Sequence, residues 1–178
     1  MNLLAQDTRP DSDYRTIPLT QGKFAIVDAA DFDWLSRWKW SLLVGRDRFY
    51  AHRTQIIDGK QVNIPMHRFI LGVDDPSIEV DHQDGDGLHN WRRNLRPCTT
   101  SQNQQNRKRA ANNTSGFVGV GKHKATNKWV AYIKIDGKQR HLGLFDSVLD
   151  AVVARDAAAA ELYGEFARPN IAVSGGEL

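Results

Sequence analysis

The strongest constraint on the fold is Asp136-Gly137, a dipeptide typical of tight hairpin turns, which lies between two β-like runs at residues 128–135 and 139–145. The side chains of the first run alternate between two faces, with Trp129, Ala131, Ile133 and Ile135 on one and Val130, Tyr132 and Lys134 on the other. A third β-like run occupies residues 117–121. We therefore predict three antiparallel strands.

A helix is predicted directly after these strands. Ser147, with Asp150 three residues later, resembles a capping box with Asp in the usual Glu position, and Gly164 ends the segment. Alanines recur at spacings of three and four residues, so the helix can pack closely on the sheet. Residues 116–170 are thus predicted to be a domain with a three-stranded antiparallel sheet packed on one helix. A polar linker at 110–115 precedes it and a tail at 171–178 follows.

The preceding part of the chain, residues 16–109, is predicted to be another domain of strands and helices, so that the fold class is α+β. We expect residues 1–15 to be flexible. The upstream elements predicted are a β-run at 23–27, a helix at 28–37, a hairpin of 38–44 and 48–54, and helical turns at 64–72. The last part has the order strand, wide loop, strand and helix, at 78–82, 83–94, 95–98 and 99–109.

Positive charge is concentrated in one stretch. Between Gly87 and Ile135 there are ten Lys and Arg residues and no Asp or Glu, while the rest of the chain contains all 21 acidic residues and the other 14 basic ones. A cationic stripe without compensating acids suits a polyanion, because Lys and Arg at phosphates release condensed counterions. Nucleic acid is the predicted partner, and a solvated basic face is the alternative.

Several other classes are disfavoured. A single cysteine, Cys98, excludes an internal disulfide and Cys-rich zinc sites. The stretch at residues 84–87 resembles the start of a calcium loop, but the acid required at its twelfth position is missing. No apolar run approaches the ~20 residues that span a bilayer. We expect a reduced, soluble, cytoplasmic protein that binds no membrane, with His52, His67, His123 and His141 packed or on the surface.

Four polar residues point to a particular chemistry. A phosphodiesterase needs a base that activates water and hard oxygen ligands for a divalent cation. Asp81 and His82 end a predicted strand, so their side chains point to opposite sides and can serve cation and water separately if the chain bends there. Asn103, in the first turn of the following helix, can approach this pair. Asn94 can accept a hydrogen bond from the far nitrogen of His82 and so fix its tautomer.

The same region contains a longer series of residues at fixed spacings: Val80-Asp81-His82-Gln83-Asp84-Gly85-Asp86-Gly87-Leu88, Asn90, Arg92, Arg93, Asn94-Leu95-Arg96, Thr99, Gln102-Asn103 and Asn106. This series closely resembles the HNH homing endonucleases of phages and mobile introns. The resemblance implies a ββα-metal (His-Me finger) core at about residues 78–109 that binds one divalent ion, Mg²⁺ or Mn²⁺. It implies Asp81 and Asn103 as metal ligands, His82 as general base, and Asn94 as the residue that orients His82 and holds the loop. His89 stands where the family has a polar residue such as Asn, and we expect it on the loop surface.

A second resemblance covers residues 114–170, through Ser115-Gly116-Phe117-Val118-Gly119-Val120, the run at 128–134, His141-Leu142-Gly143-Leu144-Phe145-Asp146 and the Ala-rich helix. These residues resemble the AP-two, or ethylene-response-factor, DNA-binding domain, which lays a three-stranded sheet in the major groove. Plant members of that family commonly carry base-reading arginines at the positions of Val118 and Gly121. Without them, contacts with the DNA backbone should outweigh contacts with bases. The residues expected at DNA are Arg92, Arg93, Arg96, Arg107, Lys108, Arg109, Lys122, Lys124, Val130, Tyr132, Lys134, Lys138 and Arg140.

Taken together, these patterns predict an HNH endonuclease that cuts double-stranded DNA to 5′-phosphate and 3′-hydroxyl ends and needs no small-molecule cofactor. One site per chain predicts nicking by a monomer, or a double-strand cut where two copies meet as a weak dimer. The resemblance implies a phage or mobile-element protein acting in the cytoplasm of a bacterial host cell. The alternative is a non-catalytic DNA-binding regulator that retains the HNH fold.

Overall fold

The computed structural model describes residues 13–45, 48–106, 113–135 and 137–171. These residues have a mixed α+β fold with small antiparallel sheets. They fall into two units, residues 13–100 and residues 101–171. Among the described helices, none has the length and apolar character needed to cross a bilayer.

Three small sheets build the first unit. β1 (Tyr14–Pro18) pairs with β2 (Phe24–Asp28); β4 (Phe49–Ile57) pairs with both β3 (Ser41–Val44) and β5 (Lys60–Pro65); and β6 (Glu79–His82) pairs with β7 (Leu95–Cys98). Helix α1 (Ala29–Leu35) follows β2, helix α2 (Met66–Leu71) follows β5, and helix α3 (Thr100–Gln105) begins after β7. One buried core joins these elements, with Ile17, Ala25, Val27, Leu35, Trp40, Ala51, Met66, Ile70, Val80 and Leu95 among its members.

Most predicted elements of this unit are found within three residues of their predicted bounds, but β1 and β5 are absent from the prediction. β1 begins at Tyr14, inside the segment expected to be flexible. β5 turns back on β4 through Asp58-Gly59, whose φ angles are 50° and 72°. This turn signal is the same as that of Asp136-Gly137, but the first four residues of β5 are exposed and do not alternate between apolar and polar as a half-buried strand does.

In the second unit, a sheet of order β10-β9-β8 packs on one helix, as predicted. The strands are β8 (Val120–Lys122), β9 (Trp129–Ile135) and β10 (Lys138–Phe145), and the helix is α4 (Val148–Tyr163). The Ser147 hydroxyl accepts a hydrogen bond from the Leu149 amide at 3.1 Å and caps α4. Small side chains form the buried core between sheet and helix, namely Val120, Ala131, Ala151 and Val152. Asp136, part of the predicted linker and the predicted end of the helix at residues 107–109 lie outside the described residues.

Candidate active site

The β6–β7 hairpin carries Asp81 and His82 at its end. Its register pairs Asp81 with Arg96 and His82 with Leu95. Because side chains alternate along a strand, Asp81 and His82 point to opposite faces of the hairpin. Val80 and Leu95 belong to the core of the first unit, so His82 lies on the core face. Both side chains are buried, at 3% exposure for Asp81 and 5% for His82.

His82 is held as a neutral imidazole. Its Nε2 lies 3.3 Å from the Oδ1 of Asn90, an atom that only accepts hydrogen bonds, so the ring proton belongs on Nε2 and the lone pair on Nδ1. Burial lowers the pKa of His82 and outweighs the opposing effects of the Asn90 hydrogen bond and of the carboxylates of Asp84, Asp81 and Asp86. The ring therefore has the protonation state that a general base requires at neutral pH.

The side chain of Asn94 fastens the loop between the two strands. Its Oδ1 accepts from the Asp84 amide at 3.0 Å, and its Nδ2 donates to Asp84 Oδ1 at 3.1 Å and to the His89 carbonyl at 2.8 Å. The prediction that Asn94 contacts the far nitrogen of His82 is wrong, because its amide is used by the loop. Asn90, four residues earlier, makes that contact.

His89 also fastens the loop. Its Nδ1 lies 2.6 Å from Asp84 Oδ2, and its ring stacks on Trp91 with centroids 4.7 Å apart. The side chain is partly exposed, as expected for a loop residue, but it pairs with Asp84 where a plain surface position was predicted.

This loop is anchored to β2 and α1. The Ile26 amide donates to the Leu88 carbonyl at 2.9 Å, and the Asn90 amide donates to the Ile26 carbonyl at 2.7 Å. Arg92, whose contact with DNA stays a prediction, donates from Nε and Nη2 to the Asp31 carboxylate, both at 2.8 Å. The position of Asn90, and with it that of His82, is thus set by a neighbouring strand.

Asp81 forms a buried salt bridge with Arg96. Arg96 donates from Nε at 3.0 Å and from Nη2 at 2.8 Å to Asp81 Oδ2. The side chains are 10% and 3% exposed, so Arg96, also predicted at DNA, is a buried partner of Asp81. Arg93 is exposed, and its carbonyl accepts a hydrogen bond from Gln83 Nε2.

The donor chemistry at Asp81 fits a hard cation only in part. Among the residues that the structure describes, no three His, Cys, Asp or Glu side chains form a group that could hold a metal ion. A carboxylate and an amide oxygen suit Mg²⁺, which keeps several waters and takes further oxygens from substrate phosphates. Asn103 lies half-buried on α3 in the second unit, and its pairing with Asp81 stays a prediction. Arg107, Lys108 and Arg109 lie outside the described residues.

Two further rings lie beside His82, and sequence reasoning missed both. His67 of α2 meets the His82 ring edge-on, with centroids 5.1 Å apart and an interplanar angle of 75°. The ring centroid of Tyr50 in β4 lies 5.8 Å from that of His67 and 6.0 Å from that of His82. Phe69 of α2 meets the rings of Trp34, Trp38 and Trp40. No local pattern joins these segments, which meet only through the tertiary fold.

In the second unit, the sheet face away from α4 carries part of the predicted DNA contacts. Val130, Tyr132 and Lys134 share that face, opposite the buried Ala131 and Ile133. The register adds three residues that the prediction left out, because Leu144, His141 and Gln139 are their cross-strand neighbours on β10.

The other cations of this sheet lie elsewhere. Lys138 and Arg140 pair with Ile135 and Ile133, so the register assigns them to the helix side, although both are exposed. The Lys122 ammonium lies 4.5 Å from the centroid of the Trp129 ring and donates to the Asn127 carbonyl. Lys124 is exposed in the loop after β8. The predicted basic face is therefore divided between the two sides of the sheet.

Comparison with known proteins identifies a viral relative. No protein-family model matches the chain, and nothing in the comparisons supports an AP-two domain. An uncharacterized HNH endonuclease of Acanthamoeba polyphaga mimivirus is 30% identical over 155 residues, which cover 84% of this chain and 76% of the relative. This viral relative does not support the prediction that the protein acts in a bacterial host. With this identity and coverage, and with the Asp81-His82 hairpin in place, the chain belongs to the HNH endonuclease family.

Proposed function

We propose that this protein is a metal-dependent endonuclease that hydrolyses phosphodiester bonds of double-stranded DNA. The observation that carries the proposal is the position of His82, a buried imidazole whose Nε2 meets Asn90 Oδ1 at the end of a hairpin. Asp81 is the adjacent residue of the same strand with its side chain on the other face, so we propose that the base and one cation ligand come from neighbouring positions of β6. β6, β7 and α3, consecutive in the chain, would be the ββα core of the family.

In the proposed reaction, Nδ1 of His82 takes a proton from water. One O–H bond of the water breaks, an N–H bond forms on the imidazole, and the water oxygen attacks phosphorus in line. The bond between phosphorus and the 3′ oxygen breaks, and the 3′ oxygen takes a proton from solvent water, which leaves 5′-phosphate and 3′-hydroxyl ends. Because Asn90 already orients the His82 ring, aligning the base adds little to the activation free energy of the reaction.

Asp81 and Asn103 would hold one Mg²⁺ or Mn²⁺ ion. When bound, the ion would stabilise the charge that develops on the leaving oxygen. Arg96 fixes the Asp81 carboxylate and compensates its charge within the protein. Two protein ligands leave most coordination positions to water and phosphate oxygens, which is common for Mg²⁺.

The second unit would hold the duplex against the sheet face that carries Tyr132 and Lys134, as in the AP-two resemblance. A two- or three-stranded ribbon fits the major groove, and exposed lysines contact phosphates. We expect the Lys134→Ala and Lys124→Ala variants each to reduce the salt slope of DNA binding by about one unit. Lys128→Ala is the control, because Lys128 already pairs with Asp146 at 3.2 Å. Unchanged slopes for both variants would exclude this surface as the DNA contact.

The proposal is tested by incubating the protein with supercoiled plasmid and Mg²⁺ or Mn²⁺ and mapping the ends. We expect nicked circles with 5′-phosphate ends, no cleavage in excess chelator, and loss of cleavage but not of DNA binding in His82→Ala. His52→Ala, a substitution at another largely buried histidine, is the matched control. Undiminished cleavage by His82→Ala would exclude it as the base. DNA binding without any cleavage by the wild type would support the alternative of a non-catalytic regulator.

A further inference from the structure

The ring of His67 is presented to His82 from a firmly anchored helix. Met66 and Ile70, on either side of His67 in α2, are core residues with 0% and 4% exposure. Arg68, the next residue, donates to the Ile78 and Asp75 carbonyls and so ties α2 to the segment that leads into β6. The two histidines are therefore held in a fixed relation by the fold.

Tyr50 lies beside both His82 and His67 and packs against the active-site loop. A Cβ atom on Gly87 would come within 2.5 Å of the Tyr50 ring and within 2.2 Å of the Phe49 carbonyl oxygen. The loop backbone thus lies directly on β4. His67, Tyr50 and His82 thus form a cluster of three mutually adjacent rings.

His67 meets the His82 ring without a charge near neutral pH and without a hydrogen bond from its Nδ1. Nδ1 of His67 is buried and has no hydrogen-bond partner among the described residues. Burial, followed by repulsion from His82 once that ring is protonated in acid and from Arg68, lowers the pKa of His67 to about 3, so the His67 ring is uncharged near neutral pH. Its edge-on contact with His82 is accordingly a packing contact between rings.

We propose that His67 is a positioning residue that holds the His82 imidazole in the orientation needed to activate water, through its ring and not through its nitrogens. This inference rests on the proposed function. It explains why a helix outside the β6–β7 hairpin carries a ring to the site. It also predicts that a phenyl ring can replace His67.

The experiment compares His67→Ala and His67→Phe with the wild type in plasmid nicking and in side-chain NMR. We expect His67→Ala to lower kcat about tenfold or more with unchanged KM for DNA, since small displacements of reacting groups are costly. His67→Phe should recover to within about threefold of the wild type, and His52→Ala should cleave normally. In NMR, contacts between the His82 and Tyr50 rings should be lost in His67→Ala and present in His67→Phe. If His67→Ala does not fold, His67→Leu takes its place in the experiment, because leucine fills the space without a ring.

Wild-type cleavage by His67→Ala with intact His82–Tyr50 contacts would overturn the inference. So would a His67→Phe variant as slow as His67→Ala, because the nitrogens would then matter. If the wild type cleaves no DNA, the proposed function fails. In that case the NMR contacts alone decide whether His67 positions the His82 ring.

Discussion

Acid should weaken the first unit, and His67 should account for a measurable share of the loss. The folded ring has a pKa of about 3, against 6.5 in an unfolded chain. Between pH 6.5 and pH 3, His67 is therefore protonated in the unfolded chain and unprotonated in the folded protein. The stability linked to His67 is fully present above pH 6.5 and falls as pH drops towards 3. Each pH unit in this window costs about 1.4 kcal/mol, so His67 withdraws roughly 3 kcal/mol between pH 7.0 and pH 4.5.

The His67→Phe variant removes the ionisable group and keeps a ring. We expect its free energy of unfolding to fall by roughly 3 kcal/mol less than that of the wild type between these two pH values. The pKa of His82 is also lowered by burial, and His82 repels a proton on His67, so the difference between the two proteins reports His67 together with its coupling to His82. Phe69→Leu, in the same helix, is the control that lowers stability without removing an ionisable group.

Urea unfolding followed by tryptophan fluorescence measures this difference. Four of the five tryptophans, Trp34, Trp38, Trp40 and Trp91, lie in the first unit. The fifth, Trp129, is replaced by Phe in all proteins compared, so that the signal reports on the first unit. If His67→Phe loses as much stability as the wild type at pH 4.5, the folded protein does not exclude a proton from His67, and the reasoning is refuted.

Two other substitutions probe the site. Arg96→Ala leaves the Asp81 carboxylate buried without its guanidinium partner. This should lower the free energy of unfolding by about 3–5 kcal/mol. A loss below 1 kcal/mol in urea titration would show that the pair is solvated. Gly87→Ala forces the loop away from β4 because of the contacts at 2.2 and 2.5 Å, so it should lower stability by about 1–3 kcal/mol and slow cleavage. Cleavage and stability equal to the wild type would show that the loop can move away from the Tyr50 ring freely.

Local signals predicted the elements that carry the site. Pro65 and Gly72 bound α2 in the sequence as in the structure, and Ser147 caps α4 with its hydroxyl. The hairpin strands that present Asp81 and His82 agree with their predicted bounds to within one residue. These features depend on residues close together in the chain, and the sequence expresses them directly.

The surroundings of His82 could not be predicted in the same way. Tyr50 and His67 come from a strand and a helix that reach His82 only once the core of the first unit has formed. The choice between Asn90 and Asn94 depends on the path of the loop, which the backbone bonds between Ile26 and the loop decide. Such contacts across the fold leave no periodicity or spacing in the sequence.

The central claim is that the His82 imidazole is the base, and chemical rescue tests it most directly. His82→Ala is assayed for plasmid nicking with and without added imidazole, alongside Asp81→Ala. We predict that free imidazole restores part of the cleavage lost in His82→Ala, because a small base can occupy the vacated space, and restores none in Asp81→Ala. Cleavage by His82→Ala at the wild-type rate without imidazole would contradict the claim.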